Sequence, residues 1–375
     1  MAVTSKGTAA GLVDWRTVER LTALIPAGPS ASRSARASSV AVLRRSALEA
    51  PAWVARITGL NRAAQQVAET TRVSVVDRAG LVRASTRALR GLMEQVPAPQ
   101  ASEAVRLVGA AEMAGAMSLL ATRLLGQVVP AAGTGGDGDG GRGGEASPHL
   151  LLVAPNVLAM RRQLDLDMLD LPAWVCLHEM THAVQLAAAP WLGPYLSDSM
   201  RMVIGAVVEA VYGGPGGGAD GTGEQGLRRR PGRAARIAAR AGRGRVLEGL
   251  TNFKERSEVA SLAAALTFLE GHAEVVLDDV HPNRMPSVHR LRAVLSRSRA
   301  ADAGIGPGPG LGSLLLHRLM GLEAKEAQYA DGTAFVRSVV ARIGHEGLNV
   351  VWTDPALLPT PAEIARPDVW VRRVG

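Results

Sequence analysis

Near its midpoint the chain reads Leu177-His178-Glu179-Met180-Thr181-His182-Ala183-Val184, an H-E-x-x-H pattern inside an apolar run, and no other segment restricts the fold as much. Pro172, just after Asp170, marks a helix start and Pro190 a stop, while Trp174, Val175, Leu177, Val184 and Leu186 supply apolar flanks. Positions four apart share a helix face, so His178 and His182 aim two imidazoles at one point. Glu179 stands beside the first ring, where it can hold and deprotonate a water instead of binding a metal itself. A catalytic zinc takes three protein ligands and keeps a fourth position for water. The chain must therefore fold so that a third donor reaches this helix from a distant segment.

Residues 257–280, SEVASLAAALTFLEGHAEVVLDDV, supply the best source. Leu262, Leu266, Leu269, Val276 and Val280 predict a long apolar helix that breaks at His281-Pro282-Asn283. Set into it is Glu270-Gly271-His272-Ala273-Glu274, polar groups whose burial without partners would be costly. Glu270 and Glu274 share a face, whereas His272 lies roughly 200° round the helix from Glu270 at about 100° per residue. One helix cannot easily point both Glu270 and His272 at the same ion. Spacing favours Glu270 as the third ligand, with Glu274 accepting a hydrogen bond from the free ring nitrogen of a ligating histidine. Two alternatives stay open: His272 is the ligand, or Glu270 and Glu274 are merely an exposed face.

The residues resemble the actinobacterial zincin-like family of zinc-dependent metalloproteases that carries coenzyme F420 biosynthesis in its name. The likeness runs through Val13-Asp14-Trp15, Thr58-Gly59-Leu60, Val76-Asp77-Arg78-Ala79-Gly80, Leu125-Gly126-Gln127 and Val153-Ala154-Pro155-Asn156. It continues through the two segments around His178 and Glu270, then Pro286-Ser287-Val288, Gly321-Leu322-Glu323-Ala324-Lys325 and Pro361-Ala362-Glu363-Ile364. The E-x-x-x-E spacing is similar to the E-x-x-x-D of thermolysin-type gluzincins, with Glu274 where those have Asp. The resemblance implies a mainly α, α+β fold of zincin type: a helical N-terminal layer and a short β element beside the active helix. It also implies Zn²⁺ held by His178, His182 and Glu270.

Composition narrows the setting. Cys176 is the one cysteine, so there is no disulfide framework, and a small buried apolar role suits it better than a nucleophile. The first fifteen residues lack the basic start and apolar stretch of a signal peptide, and no charge-free apolar run approaches the ~18 residues that cross a bilayer. A cytoplasmic protein with no membrane partner is expected. The net charge of +8 is carried by a single run, Arg228, Arg229, Arg230, Arg233, Arg236, Arg240, Arg243 and Arg245. Without interleaved aromatics for base stacking, this run reads as a solvated insertion and not as a nucleic-acid arm.

Punctuation divides the chain into a helical region over 1–130, a Gly-rich linker over 131–148, a catalytic core over 149–299 and a helical region over 300–375. A disordered Gly/Arg-rich insertion is expected in the core at about 213–245. Helical periodicity runs from residue 12 to about 128. His149 to Ala154 is the best strand, followed by a helix capped by Asn156; the resemblance implies that such a strand lines the cleft. Ser197 or Asp198 should cap a further helix, and Thr360-Pro361-Ala362-Glu363 matches a capping box.

The expected chemistry is hydrolysis of an amide bond in a peptide or a small amide, with Glu179 as general base. Tyr195, Tyr212, Tyr329, His289 and His345 are the candidates for stabilising the oxyanion. A catalytically silent scaffold or regulatory protein associated with coenzyme F420 metabolism is the alternative.

Overall fold

The computed structural model describes residues 7–129, 148–212, 253–300 and 327–375. Its elements are β1 (Gly7–Thr8), α1 (Trp15–Thr22), α2 (Arg33–Thr58), α3 (Asn61–Thr70), β2 (Arg72–Val76), α4 (Arg78–Glu94), β3 (Pro97–Ala98) and α5 (Glu103–Arg123). Next come β4 (Gly126–Val129), β5 (His149–Val153), α6 (Ala154–Gln163), α7 (Asp170–Ala188) and α8 (Leu192–Tyr212). The last are α9 (Phe253–Asp278), α10 (Val288–Ala300), α11 (Ala327–Leu348), α12 (Pro361–Ile364) and α13 (Pro367–Val374). The fold is mainly helical with small sheets. Most of the Gly-rich linker and all of the Arg228 to Arg245 run lie outside the described residues.

Helix starts follow local chemistry. The side chains of Asp14, Ser32, Asp77 and Ser102 accept backbone N–H groups at the heads of α1, α2, α4 and α5. At α12 the expected capping box is present, with Thr360 and Glu363 bonding reciprocally. Two expected caps fall elsewhere. Asn156 lies inside α6, where its amide donates to the carbonyls of Ala121 and Leu124 at 2.8 and 2.7 Å, and α8 starts at Leu192, ahead of Ser197 and Asp198. At Asn156 long-range hydrogen bonds override the local signal.

The sheet that positions the site has the order β2-β5-β4. β2 runs parallel to β5, Arg72 opposite His149 to Val76 opposite Val153, and β4 runs antiparallel to it, Gly126 opposite Leu152. Two of its strands thus come from the stretch read as helical. The strand reading of 149–154 is met by β5, which is central: both its edges are taken, so it has no free edge for an extended ligand. Its apolar run from Leu150 to Val153 fits this place, because both faces are covered. Leu150 and Leu152 face a core with Leu43, Val54, Trp174 and Val276, while Leu151 and Val153 face one with Leu81, Met117, Leu124 and Met200.

Helix α7 runs through the first core and is buried nearly all round from Leu171 to Gln185, so its histidines sit in the interior and not on an amphipathic surface face. A third core, with Phe268, Phe335, Trp352 and Trp370, joins α9 to α11 and the C-terminal helices. Glu103–Arg123 and Ser257–Asp278 are long and apolar enough, by length and composition, to cross a membrane. The core helices of soluble proteins share this property. The second stretch carries Glu270, and the first buries Ala110, Ala114, Met117 and Leu120 along one face.

Candidate metal centre

One turn of α7 separates His178 from His182, and their rings stand at 87° with centroids 4.8 Å apart. The two Nε2 atoms are 3.2 Å apart. Glu270 Oε2, from α9, lies 3.5 Å from the first and 3.7 Å from the second. Four ligands at about 2.0–2.1 Å from a tetrahedral ion are spaced roughly 3.3–3.4 Å from one another. The three edges measured here bracket that value, and the donor set, two imidazoles and a carboxylate, is of a kind that holds a catalytic zinc. These residues fit Zn²⁺.

A glycine pair sets how α9 presents Glu270. A Cβ on Gly271 would lie 2.3 Å from the carbonyl carbon of Gly332 in α11, and one on Gly332 would lie 2.3 Å from the oxygen of Thr267. The two helices cross in backbone contact, which only glycine allows. Gly271 separates Glu270, which meets the two rings of α7, from His272, which is fully buried beside Phe268 and Trp352, the latter ring 5.3 Å away. The angular argument from sequence placed these two side chains apart, and the structure does so. His272, the alternative ligand, lies outside the trio of His178, His182 and Glu270 that could hold an ion.

Electrostatics couple the trio. Burial opposes charge on His182 and on Glu270, yet Glu270 raises His182 to about 9, and the two rings hold the Glu270 carboxyl well below the ordinary carboxylate range. A divalent cation would take the place of the proton that this carboxylate draws to the His182 ring. Glu179, also buried, has its carboxyl pushed up by desolvation, partly offset by the rings of His178 and His182. Burial likewise pushes the Cys176 thiol up, away from reactivity. Low dielectric and neighbouring charge are the conditions under which a carboxylate can serve as a base near neutral pH.

The remaining residues read from sequence are placed as follows. Glu274 lies one turn beyond Glu270, with its Oε1 3.8 Å from His178 Nδ1, outside hydrogen-bond reach. That Nδ1 is buried and has no hydrogen-bond partner. His345 is engaged with Asp279 at 2.8 Å, and Tyr195 packs edge-on to Trp191. The side chains of Tyr212 and Tyr329 lie outside the described residues. Two contributors were missed. Gln185 Oε1 accepts from His182 Nδ1 at 2.9 Å, and its position three residues on, over the same face, was the available signal. At Gly126 in β4 a Cβ would fall 2.7 Å from Glu179 Cγ, a tertiary approach with no local sequence mark.

A search of the curated proteins finds no match. A crystal structure from Chloroflexus aurantiacus, described as that of a candidate hydrolase with a novel fold, superposes with a TM-score of 0.58. It is 20% identical over 96% of this chain and 98% of its own, a likeness of fold. The model of the zincin-like metallopeptidases matches residues 13–371, which takes in both α7 and α9. By that match over nearly its whole length, the chain belongs to the zincin-like metallopeptidase family.

Proposed function

We propose that the protein is a zinc-dependent peptidase that cleaves amide bonds in an extended peptide. The observation that carries this reading is the trio of His178 Nε2, His182 Nε2 and Glu270 Oε2, spaced for one tetrahedral ion, with Glu179 buried beside it. The description given to the Chloroflexus aurantiacus protein, a candidate hydrolase, points the same way.

When bound, Zn²⁺ would supply Lewis acidity, lowering the pKa of water and polarising a carbonyl. His178, His182 and Glu270 would hold it, and the single negative charge of Glu270 would leave the site net positive toward a developing oxyanion. The Glu179 carboxylate takes the proton of the attacking water and passes it to the leaving amine. Gly126 gives that carboxylate its room and keeps β4 against α7.

The substrate class rests on β4. Among the described residues it pairs on one side only, with β5. Val153 N donates to Leu125 O at 2.8 Å, which makes this a hydrogen-bonded pair of the ladder. By alternation, the backbone N–H and C=O of buried Gly126 and half-buried Val128 point away from β5, toward the side on which no described strand pairs. An extended peptide can add there as a further strand, beside Glu179. A small amide would gain nothing from such an edge.

The test is a peptide library digested by the zinc-loaded protein and read by mass spectrometry, with and without chelator. Cleavage that stops on chelation and returns with zinc is expected. Hydrolysis of small amides but no peptide would move the substrate class, and bound zinc without any turnover would make the chain a silent scaffold.

A further inference from the structure

Gln185 is 1% exposed and follows His182 by three residues on α7. Its side-chain nitrogen lies 2.9 Å from the carbonyl oxygen of Leu269 and 3.0 Å from His272 Nδ1. A carbonyl oxygen can only accept, so the amide orientation is fixed by chemistry: the nitrogen faces α9 and Oε1 faces His182 Nδ1 at 2.9 Å. An amide oxygen in turn can only accept. His182 Nδ1 must therefore carry the hydrogen, and the neutral ring keeps its lone pair on Nε2, the atom that meets His178 and Glu270. His272 Nδ1 receives an N–H from the same amide, so it too is a lone-pair nitrogen, and the proton of that ring sits on Nε2.

We propose that Gln185, held by Leu269 and His272, is the positioning residue that locks His182 in its metal-binding tautomer and fixes α7 against α9 on both sides of Glu270. This rests on the reading that His178, His182 and Glu270 hold Zn²⁺. One buried amide spends its oxygen on a ligand ring and both N–H groups on the residues that flank the third ligand in sequence. His272 then has a defined part, as the acceptor that keeps the amide turned correctly. Water has no access to take over either bond, because Gln185, Leu269 and His272 are all buried.

The test is zinc affinity of the full chain, measured by competition with a chromophoric chelator, for wild type, Q185L, H272F and V276A. Val276 is a fully buried α9 residue of the core around α7, and V276A destabilises that packing without touching the amide. Q185L should bind zinc about 10–100-fold more weakly, the usual cost of losing an outer hydrogen-bond partner of a ligating histidine. H272F keeps a ring in place, leaves the Gln185 to His182 bond, and should lose less. V276A should match wild type. Q185L with wild-type affinity, or Q185L and V276A weakened equally, overturns the proposal, and undiminished affinity in H272F removes His272 from it. If Q185L does not fold, the comparison of H272F with V276A decides alone, with equal affinities overturning the proposal. A wild type that binds no zinc overturns the metal reading itself, a different result from a wild type that binds and a Q185L that binds as well.

Discussion

Two buried glutamates, Glu270 and Glu363, show how differently a fold can house the same carboxylate. Glu363, in α12, is saturated. Arg373 donates to its two oxygens at 2.6 and 2.9 Å, and Thr360 adds its backbone N–H at 2.9 Å and its hydroxyl at 3.0 Å. Glu270 meets His178 and His182 at 3.5 and 3.7 Å, longer than the roughly 2.7–3.2 Å of a good N–H···O bond. The structural carboxylate closes directly on Arg373 and Thr360; Glu270 Oε2 keeps from the two ring nitrogens about the separation of ligands that share one cation. A separation that would be poor as an ion pair suits a ligand set.

Perturbing each side of this contrast should give separable results. The largest effect is expected from E270A, which removes a ligand: zinc affinity should fall beyond the roughly 10–100-fold that an outer partner costs, measured by chelator competition. Wild-type affinity in this variant would break the contrast at its root. E179Q should keep zinc at wild-type stoichiometry and lose about 10²–10⁴-fold in kcat, the usual contribution of a general base. Retained turnover would remove Glu179 from that role. G126A inserts a methyl 2.7 Å from Glu179 Cγ, and a base displaced by about 1 Å can cost on the order of 10²-fold in rate while zinc binding stays normal.

The smallest effect belongs to the structural carboxylate. Burial raises the Glu363 carboxyl, but the hydrogen bonds and charge of Arg373 and Thr360 outweigh it and hold the group below the ordinary range. A depressed folded pKa stabilises the fold above the unfolded value of about 4.3, and that contribution is lost as pH falls through the folded value. E363Q should therefore unfold with about 1–3 kcal/mol less stability at neutral pH, and the gap to wild type should narrow below about pH 4. Its zinc affinity should be unchanged. A zinc defect in E363Q would mean that the two carboxylates are not independent.

What was legible in the sequence was what depends on spacing along one element. His178 and His182 share a face because they are four apart, and the roughly 200° between Glu270 and His272 separates their roles before any coordinates. The box of Thr360 and Glu363 is local in the same sense. The closeness of Gly126 to Glu179, and the backbone crossing at Gly271 and Gly332, are meetings of distant segments that leave only a glycine behind. The place of β5 at the centre of its sheet followed from β2 and β4, short strands in a stretch whose periodicity reads as helix. For Asn156 the cap signal was real, yet its amide is used by Ala121 and Leu124, carbonyls more than thirty residues away.

The most direct measurement of the central claim is elemental analysis of the purified protein together with anomalous diffraction at the zinc edge. One zinc per chain is predicted, at about 2.0–2.2 Å from His178 Nε2, His182 Nε2 and a Glu270 oxygen. A protein that takes up no metal, or an ion bound away from these three atoms, would contradict it.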